Sequence, residues 1–259
     1  MSSVGVRRGE RIAQLVADLS GERLQAQRVL DLGCNDGGFS LQAARQGARE
    51  VVGIEGREAN LAQGIARRDA EGLEQVKFIQ GDIRDLSPER YGEFDVVLCL
   101  GVLYHLDVPE VFEFAHRVAS VCRGYALVET QMGVAARERV EFEGRIYEGV
   151  WYGEDVAQPG ASLDNRRSFW PTKASLLNLL ADVGFTSVAE VLNPYVPNLA
   201  AYRDHTLLVA FKGEPMRDDR GDRWPQRLPK MVHPAQGLRY FVRDRVARRR
   251  GGGLPSLFR

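Results

Sequence analysis

The chain has 259 residues, 44% hydrophobic and 27% charged, which fits one sizeable globular α/β domain with an insertion or tail and is short for two full domains. Its 35 basic and 35 acidic side chains cancel, so net charge predicts no polyanionic partner for the chain as a whole. The start, MSSVGVRRGE, lacks the apolar stretch of a signal peptide, no apolar run approaches the roughly 18 residues of a membrane span, and the three cysteines (Cys34, Cys99, Cys122) have no C-x-x-C spacing, so we expect reduced thiols, no transmembrane segment and a cytoplasmic protein.

In chain order, residues 9–20 place Ile12, Leu15, Val16 and Leu19 on one helical face. Short apolar strands then alternate with helical segments: strand 28–33, helix 38–47, strand 50–55, helix 57–70, strand 76–82, strand 94–101, helix 109–121 and strand 124–130. The segment FDVVLCLG (94–101) is apolar at every other-face position as well, as at the centre of a parallel sheet covered on both sides. A helix over 172–185, with Thr172 as N-cap and Gly184 as its stop, precedes strands 186–193 and 205–213. No helix separates those two strands, so they are expected to pair antiparallel. The predicted fold is a doubly wound, Rossmann-like seven-stranded α/β sheet, mostly parallel with an antiparallel last strand. Residues 1–213 form its domain.

Two stretches stand outside the alternation. Residues 131–170 interrupt it for about 40 residues and read as a substrate-side insertion or lid. Residues 214–259 are a basic extension: from Arg217 to Arg259 there are 12 Lys and Arg against 4 Asp and Glu. Within it, Leu238, Phe241, Val242 and Val246 share one face of an amphipathic helix whose other faces are crowded with arginine. Such a helix suits RNA phosphates, an anionic membrane or the acidic body of the same chain.

The stretch VLDLGCNDGGFS (29–40) ends a strand in a glycine-rich turn that opens a helix, a place where backbone approaches a ligand closely. The dinucleotide pattern G-x-G-x-x-G is incomplete: Gly33, Asn35 and Gly38 occupy its three positions, and Asn35 tolerates a left-handed backbone. Glu55 ends the second strand, where its carboxylate can accept two hydrogen bonds from a ribose diol. Asp82 ends the third and can accept from an exocyclic amine or cap the turn before Ile83, whose N–H can donate to a ring nitrogen. Asp31, inside an apolar strand, requires a partner.

The stretches VLDLGCNDGG, VVGIEGRE, FIQGDIRDL and FDVVLCLGVLYHL, with the terminal antiparallel strand pair, resemble the class I S-adenosylmethionine-dependent methyltransferases over about residues 25–213. The resemblance implies S-adenosylmethionine as cofactor. Gly33, Asn35 and Gly37 would run beside the methionine part with Gly101, Glu55 and the adjoining Gly56 would hold the ribose, Asp82 and Ile83 the adenine, and Asp31 would support the loop or, through water, the ligand's ammonium. Asn35 departs from the glycine common in the family. CNDGGFS, LGVLYHLDVP and SFWPTKASLLNLLADVGF look like the branch that holds the tRNA wobble-uridine carboxymethyltransferases and many small-molecule methyltransferases.

On the acceptor side, His105 is the first candidate base, or else a structural cap, and Glu129 the second; Tyr104, beside His105 after the fourth strand, is a further catalytic candidate. Glu148, Trp151, Tyr152 and Trp170 of the insertion either wall an acceptor pocket or form the insertion's own core, and no metal site is expected. His205 reads as structural. The expected reaction is direct displacement of a methyl group onto a small-molecule acceptor, natural-product or lipid-like; tRNA modification is the alternative.

Overall fold

The computed structural model describes residues 3–155, 160–191 and 204–213. The basic extension over 214–259, with its expected amphipathic helix, lies outside the described residues.

Among the described residues, ten strands and six α-helices alternate much as the hydrophobic pattern requires. The strands are β1 (Arg28–Leu32), β2 (Glu50–Glu55), β3 (Val76–Gln80), β4 (Phe94–Leu100), β5 (Cys122–Gln131), β6 (Glu138–Phe142), β7 (Arg145–Gly153), β8 (Arg167–Pro171), β9 (Ser187–Glu190) and β10 (His205–Phe211). The helices are α1 (Ser3–Ser20), α2 (Gly38–Arg45), α3 (Glu58–Glu71), α4 (Pro88–Tyr91), α5 (Glu110–Val121) and α6 (Lys173–Asp182).

Seven strands form one sheet in the order β3-β2-β1-β4-β5-β10-β9. The first five are parallel; β10 runs antiparallel to both β5 and β9. The order reverses between β1 and β4, which opens a crevice at the carboxyl ends of the strands.

Both faces of the sheet are covered. Val96 and Leu98 of β4 pack with Ile12, Val16 and Leu19 of α1 and Leu41 of α2, while Val97 and Cys99 pack with Phe112 and Val118 of α5 and Leu176 and Leu179 of α6. The strand's double-sided apolar run is thereby accounted for. Thr172 caps α6 by accepting a hydrogen bond from the Ser175 N–H.

The interruption over 131–170 is a second sheet rather than a long loop, three antiparallel strands in the order β6-β7-β8. The cause is a period of two in RIYEGVWYG: Tyr147 is 2% exposed whereas its neighbour Ile146 is 56% exposed. Tyr147 and Phe169 join the same core cluster as Phe112.

Candidate active site

The crevice at the strand ends is a cavity of about 1050 Å³. Its floor begins at the turn after β1. Gly33 has φ +62° and a side chain there would collide with Val102, so only glycine lets the two loops close. Asn35 takes the left-handed backbone, φ 51°, that the missing glycine would otherwise provide. Gly37 also has positive φ, but its absent Cβ makes room for the Phe78 ring, and it does not line the cavity.

Glu55, 5% exposed, holds that turn. Its Oε2 accepts from the Asn35 N–H at 3.0 Å, and its Oε1 from the Arg57 N–H at 2.9 Å and the Asn60 amide at 3.5 Å. A carboxylate has about four acceptor sites, so capacity remains toward the cavity that Glu55 lines with Gly56. Asp31 lies beneath, 1% exposed, and accepts from the Ser40 hydroxyl at 2.6 Å. Burial pushes its carboxyl up to about 7, against the lowering effect of Ser40 and helped by the charges of Glu55 and Asp36. Burial, with the charges of Asp31 and Glu55, also drives the Cys34 thiol far up, which removes it as a nucleophile.

Asp82 and Ile83 line the cavity at the end of β3. Both Asp82 oxygens are engaged by Arg84: its backbone N–H and Nε donate to Oδ1 at 2.8 and 3.0 Å, and Nη2 donates to Oδ2 at 2.6 Å. Burial would raise the Asp82 carboxyl, but these bonds outweigh it and hold the group below its ordinary value. The turn-capping role is therefore what the structure displays, and an exocyclic amine would meet a carboxylate already paired.

Arg84 also binds Asp164, at 2.8 Å. That contact is one of several by which residues 160–165, between β7 and β8, are held against the cavity. Arg57 Nη2 donates to the Ala161 carbonyl at 2.8 Å, Leu163 lies over Gly56, and the Asn165 amide donates to the His105 carbonyl. Glu154, its side chain 4% exposed, meets His105 Nδ1 at 3.1 Å and accepts from the Ser168 hydroxyl at 3.0 Å.

Toward β5 the cavity is lined by Gly101, Tyr104, His105, Glu129 and His205. Gly101, φ +79°, donates its N–H to the Glu129 carbonyl at 2.9 Å. His205 Nε2 stands 3.0 Å from Glu129 Oε1.

The aromatic residues of the insertion lie behind this wall. Trp170 donates its indole N–H to the Tyr104 carbonyl at 2.9 Å and packs edge-on against the Tyr104 ring. Tyr152 stacks on Trp170 with ring centroids 4.2 Å apart. Trp151 packs against Phe169 with the Arg167 guanidinium 4.2 Å above it. Glu148 faces Arg139 at 3.9 Å, and its backbone N–H bonds Ser175. None of these four lines the cavity.

Sequence reasoning passed over Arg84, Glu154, Asp164 and the placement of His205. Only the last had a signal: an antiparallel strand beside β5 must begin at the ligand end.

Residues 29–124 match a family profile described as a methyltransferase domain. A ubiquinone biosynthesis O-methyltransferase of Acinetobacter baumannii (strain AYE) is 35% identical over 86 residues, 33% of this chain and 36% of that one. A tRNA U34 carboxymethyltransferase of Dichelobacter nodosus is 30% identical over 141 residues, 53% of this chain and 44% of that one. The chain thus spans less than half the length of these curated relatives. Among solved structures, the N-terminal domain of EvdMO1 with S-adenosylhomocysteine bound has a TM-score of 0.66 at 23% identity, covering 82% of this chain and 83% of that one. The magnesium protoporphyrin IX methyltransferase of Synechocystis PCC 6803 scores 0.53 at 20% identity over 81% of each chain. Over residues 29–124 the chain is thus similar to a methyltransferase domain, and its seven-stranded sheet has the fold of these solved structures.

Proposed function

We propose that the protein transfers a methyl group from S-adenosylmethionine to a small-molecule acceptor. The observation that carries this reading is Glu55: a buried carboxylate that fixes the Gly33–Gly37 turn and still faces the cavity, the position a ribose diol needs. Around it the residues fit the cofactor. The Gly33 and Gly101 backbones allow close approach of its methionine part, and Ile83 and Leu163 offer apolar contact to a purine. S-adenosylmethionine supplies an electrophilic methyl on sulfur with a neutral leaving group. The chain's own task is therefore mainly to hold acceptor and donor in line and exclude water, which is worth ~7–11 kcal/mol when reacting groups are well oriented.

The 160–165 segment favours a small acceptor. It ties the ends of β2, β3 and the turn after β4 to the second sheet, which narrows the mouth of the cavity on that side. Calorimetry with S-adenosylhomocysteine tests the donor site. Binding is expected, and Glu55→Ala should weaken it by about tenfold or more, since a charged hydrogen-bond acceptor is lost. Unchanged affinity in that variant would refute the site. The similarity to the Dichelobacter tRNA enzyme supports a second reading, tRNA modification. Tight, steeply salt-dependent binding of tRNA would favour it.

A further inference from the structure

We propose that the purine of the donor is recognised by its faces and not by its 6-amino edge, because Arg84 occupies the Asp82 carboxylate that would read that edge. The inference rests on the function proposed above and deepens it. Arg84 and Leu163 become specificity-determining residues of the donor site, and the site accepts donors that lack the 6-amino group.

A carboxylate offers about four lone-pair sites. At Asp82 the donors that meet them all come from one residue. The Arg84 backbone N–H and Nε reach Oδ1 at 2.8 and 3.0 Å, and Nε and Nη2 reach Oδ2 at 2.9 and 2.6 Å. The same guanidinium is held from its other end, where Nη1 and Nη2 donate to Asp164 at 3.0 and 2.8 Å. An amine entering from the cavity would have to displace this cation. The exchange is unfavourable, because a hydrogen bond between two ionised partners is stronger than one in which only the acceptor is charged. The backbone bond to Oδ1 caps the turn after β3 and would remain in any case. Glu55 is the contrast: its partners are two backbone N–H groups and the Asn60 amide at 3.5 Å, all neutral, and they leave room for a ribose diol.

What remains for the purine is apolar surface. Ile83 and Leu163 both line the cavity, with Gly56 and Gly81 between the strands that carry the two acids. Leu163 is 45% exposed, a large apolar side chain on a segment otherwise held by polar contacts. On one side of it Arg57 Nη2 donates to the Ala161 and Ser162 carbonyls at 2.8 and 3.3 Å, and on the other Asp164 is fixed by Arg84. Gly56 admits the leucine: a Cβ at that position would lie 2.6 Å from Leu163 Cδ1. A purine seated against Leu163 and Ile83 buries this surface, and apolar burial is blind to the substituent at position 6. Arg84 thus acts twice, since it occupies Asp82 and it fixes the segment that carries Leu163.

Calorimetry on the full chain tests this with two ligands: S-adenosylhomocysteine and its 6-deamino analogue, in which hydrogen replaces the amino group and the ring nitrogens are kept. Wild type is expected to bind the two within about threefold of each other. Arg84→Met should weaken both, because the segment loses an anchor. It should also free Asp82, so that S-adenosylhomocysteine is then preferred by about tenfold or more, as for a hydrogen bond to a charged group. Leu163→Ala should weaken both ligands by about fivefold and leave their ratio near one. A wild-type preference of about tenfold or more for S-adenosylhomocysteine would mean that Asp82 reads the amine, and the proposal would be overturned. A ratio in Arg84→Met no different from that of wild type, or an unchanged affinity in Leu163→Ala, would overturn it as well. The wild-type ratio needs no variant and decides whether or not the variants fold. Failure of wild type to bind either ligand would instead refute the function proposed above.

Discussion

Asp31 is a carboxyl group placed where water does not reach, and its consequences can be worked out with sign. Burial raises its folded value from 3.8 to about 7, only partly offset by the Ser40 hydroxyl. Between those values the folded chain keeps a proton that the unfolded chain has released. The group's contribution to stability is therefore greatest at low pH and falls as pH rises, until it levels off above about 7. A shift of that size corresponds to a few kcal/mol, about 1.4 per unit. Asp31→Asn keeps an acceptor for Ser40 and has no proton to lose. It should be more stable than wild type at about pH 8 and lose most of that advantage by about pH 5, as thermal unfolding at both values would show. A constant difference between the two proteins at both pH values would mean that Asp31 titrates normally.

Residues 160–165, between β7 and β8, line the cavity and are tied to the ends of β2 and β3 and to the turn after β4. Their anchors are polar and partly wet: in the Arg84–Asp164 pair the side chains are 30% and 59% exposed. Such pairs hold with about 0.2–1 kcal/mol each. Segments of that strength open without unfolding the core. Asp164→Asn should accordingly leave the melting temperature unchanged while S-adenosylhomocysteine dissociates up to about fivefold faster, the factor equivalent to 1 kcal/mol. Stopped-flow displacement measures it, and an unaltered off-rate would show that this segment does not gate release. The same element marks how far the sequence could be read. The doubly wound parallel sheet with its antiparallel last strand, the Gly33 and Asn35 turn, and the placement of Glu55, Gly101, His105 and Glu129 at strand ends follow from periodicity and topology, because a parallel sheet sends every carboxyl end to one crevice. Glu154 and Asp164 carry no such mark. Their partners, His105 and Arg84, lie 49 and 80 residues away and meet them only after two sheets have docked. Trp151, Tyr152 and Trp170 show the converse: aromatic content was legible, but whether a ring faces a ligand or another ring depends on packing that spacing does not encode.

At the scale of the whole molecule the question is whether the three-stranded sheet is an appendage or part of the fold. Phe112 of α5 stacks on Tyr147 of β7 with centroids 4.7 Å apart and also touches Phe142 of β6 and Phe169 of β8. Phe112 and Phe169 are each fully buried, in one cluster with Leu30, Val97 and Leu176. The main sheet, α5 and the small sheet therefore share a hydrophobic interior, and removing one of its rings opens a cavity that both must bear. Phe169→Ala should cost about 3–5 kcal/mol, although the residue belongs to a segment outside the seven-stranded sheet. Because the core is continuous, far-ultraviolet dichroism, near-ultraviolet dichroism and loss of S-adenosylhomocysteine binding should shift together in denaturant, with the midpoint lowered and the slope unchanged. An independent appendage would behave otherwise: the variant would be clipped by protease within residues 131–170 while the main transition stayed in place. That outcome would separate the second sheet from the fold that bears the donor site.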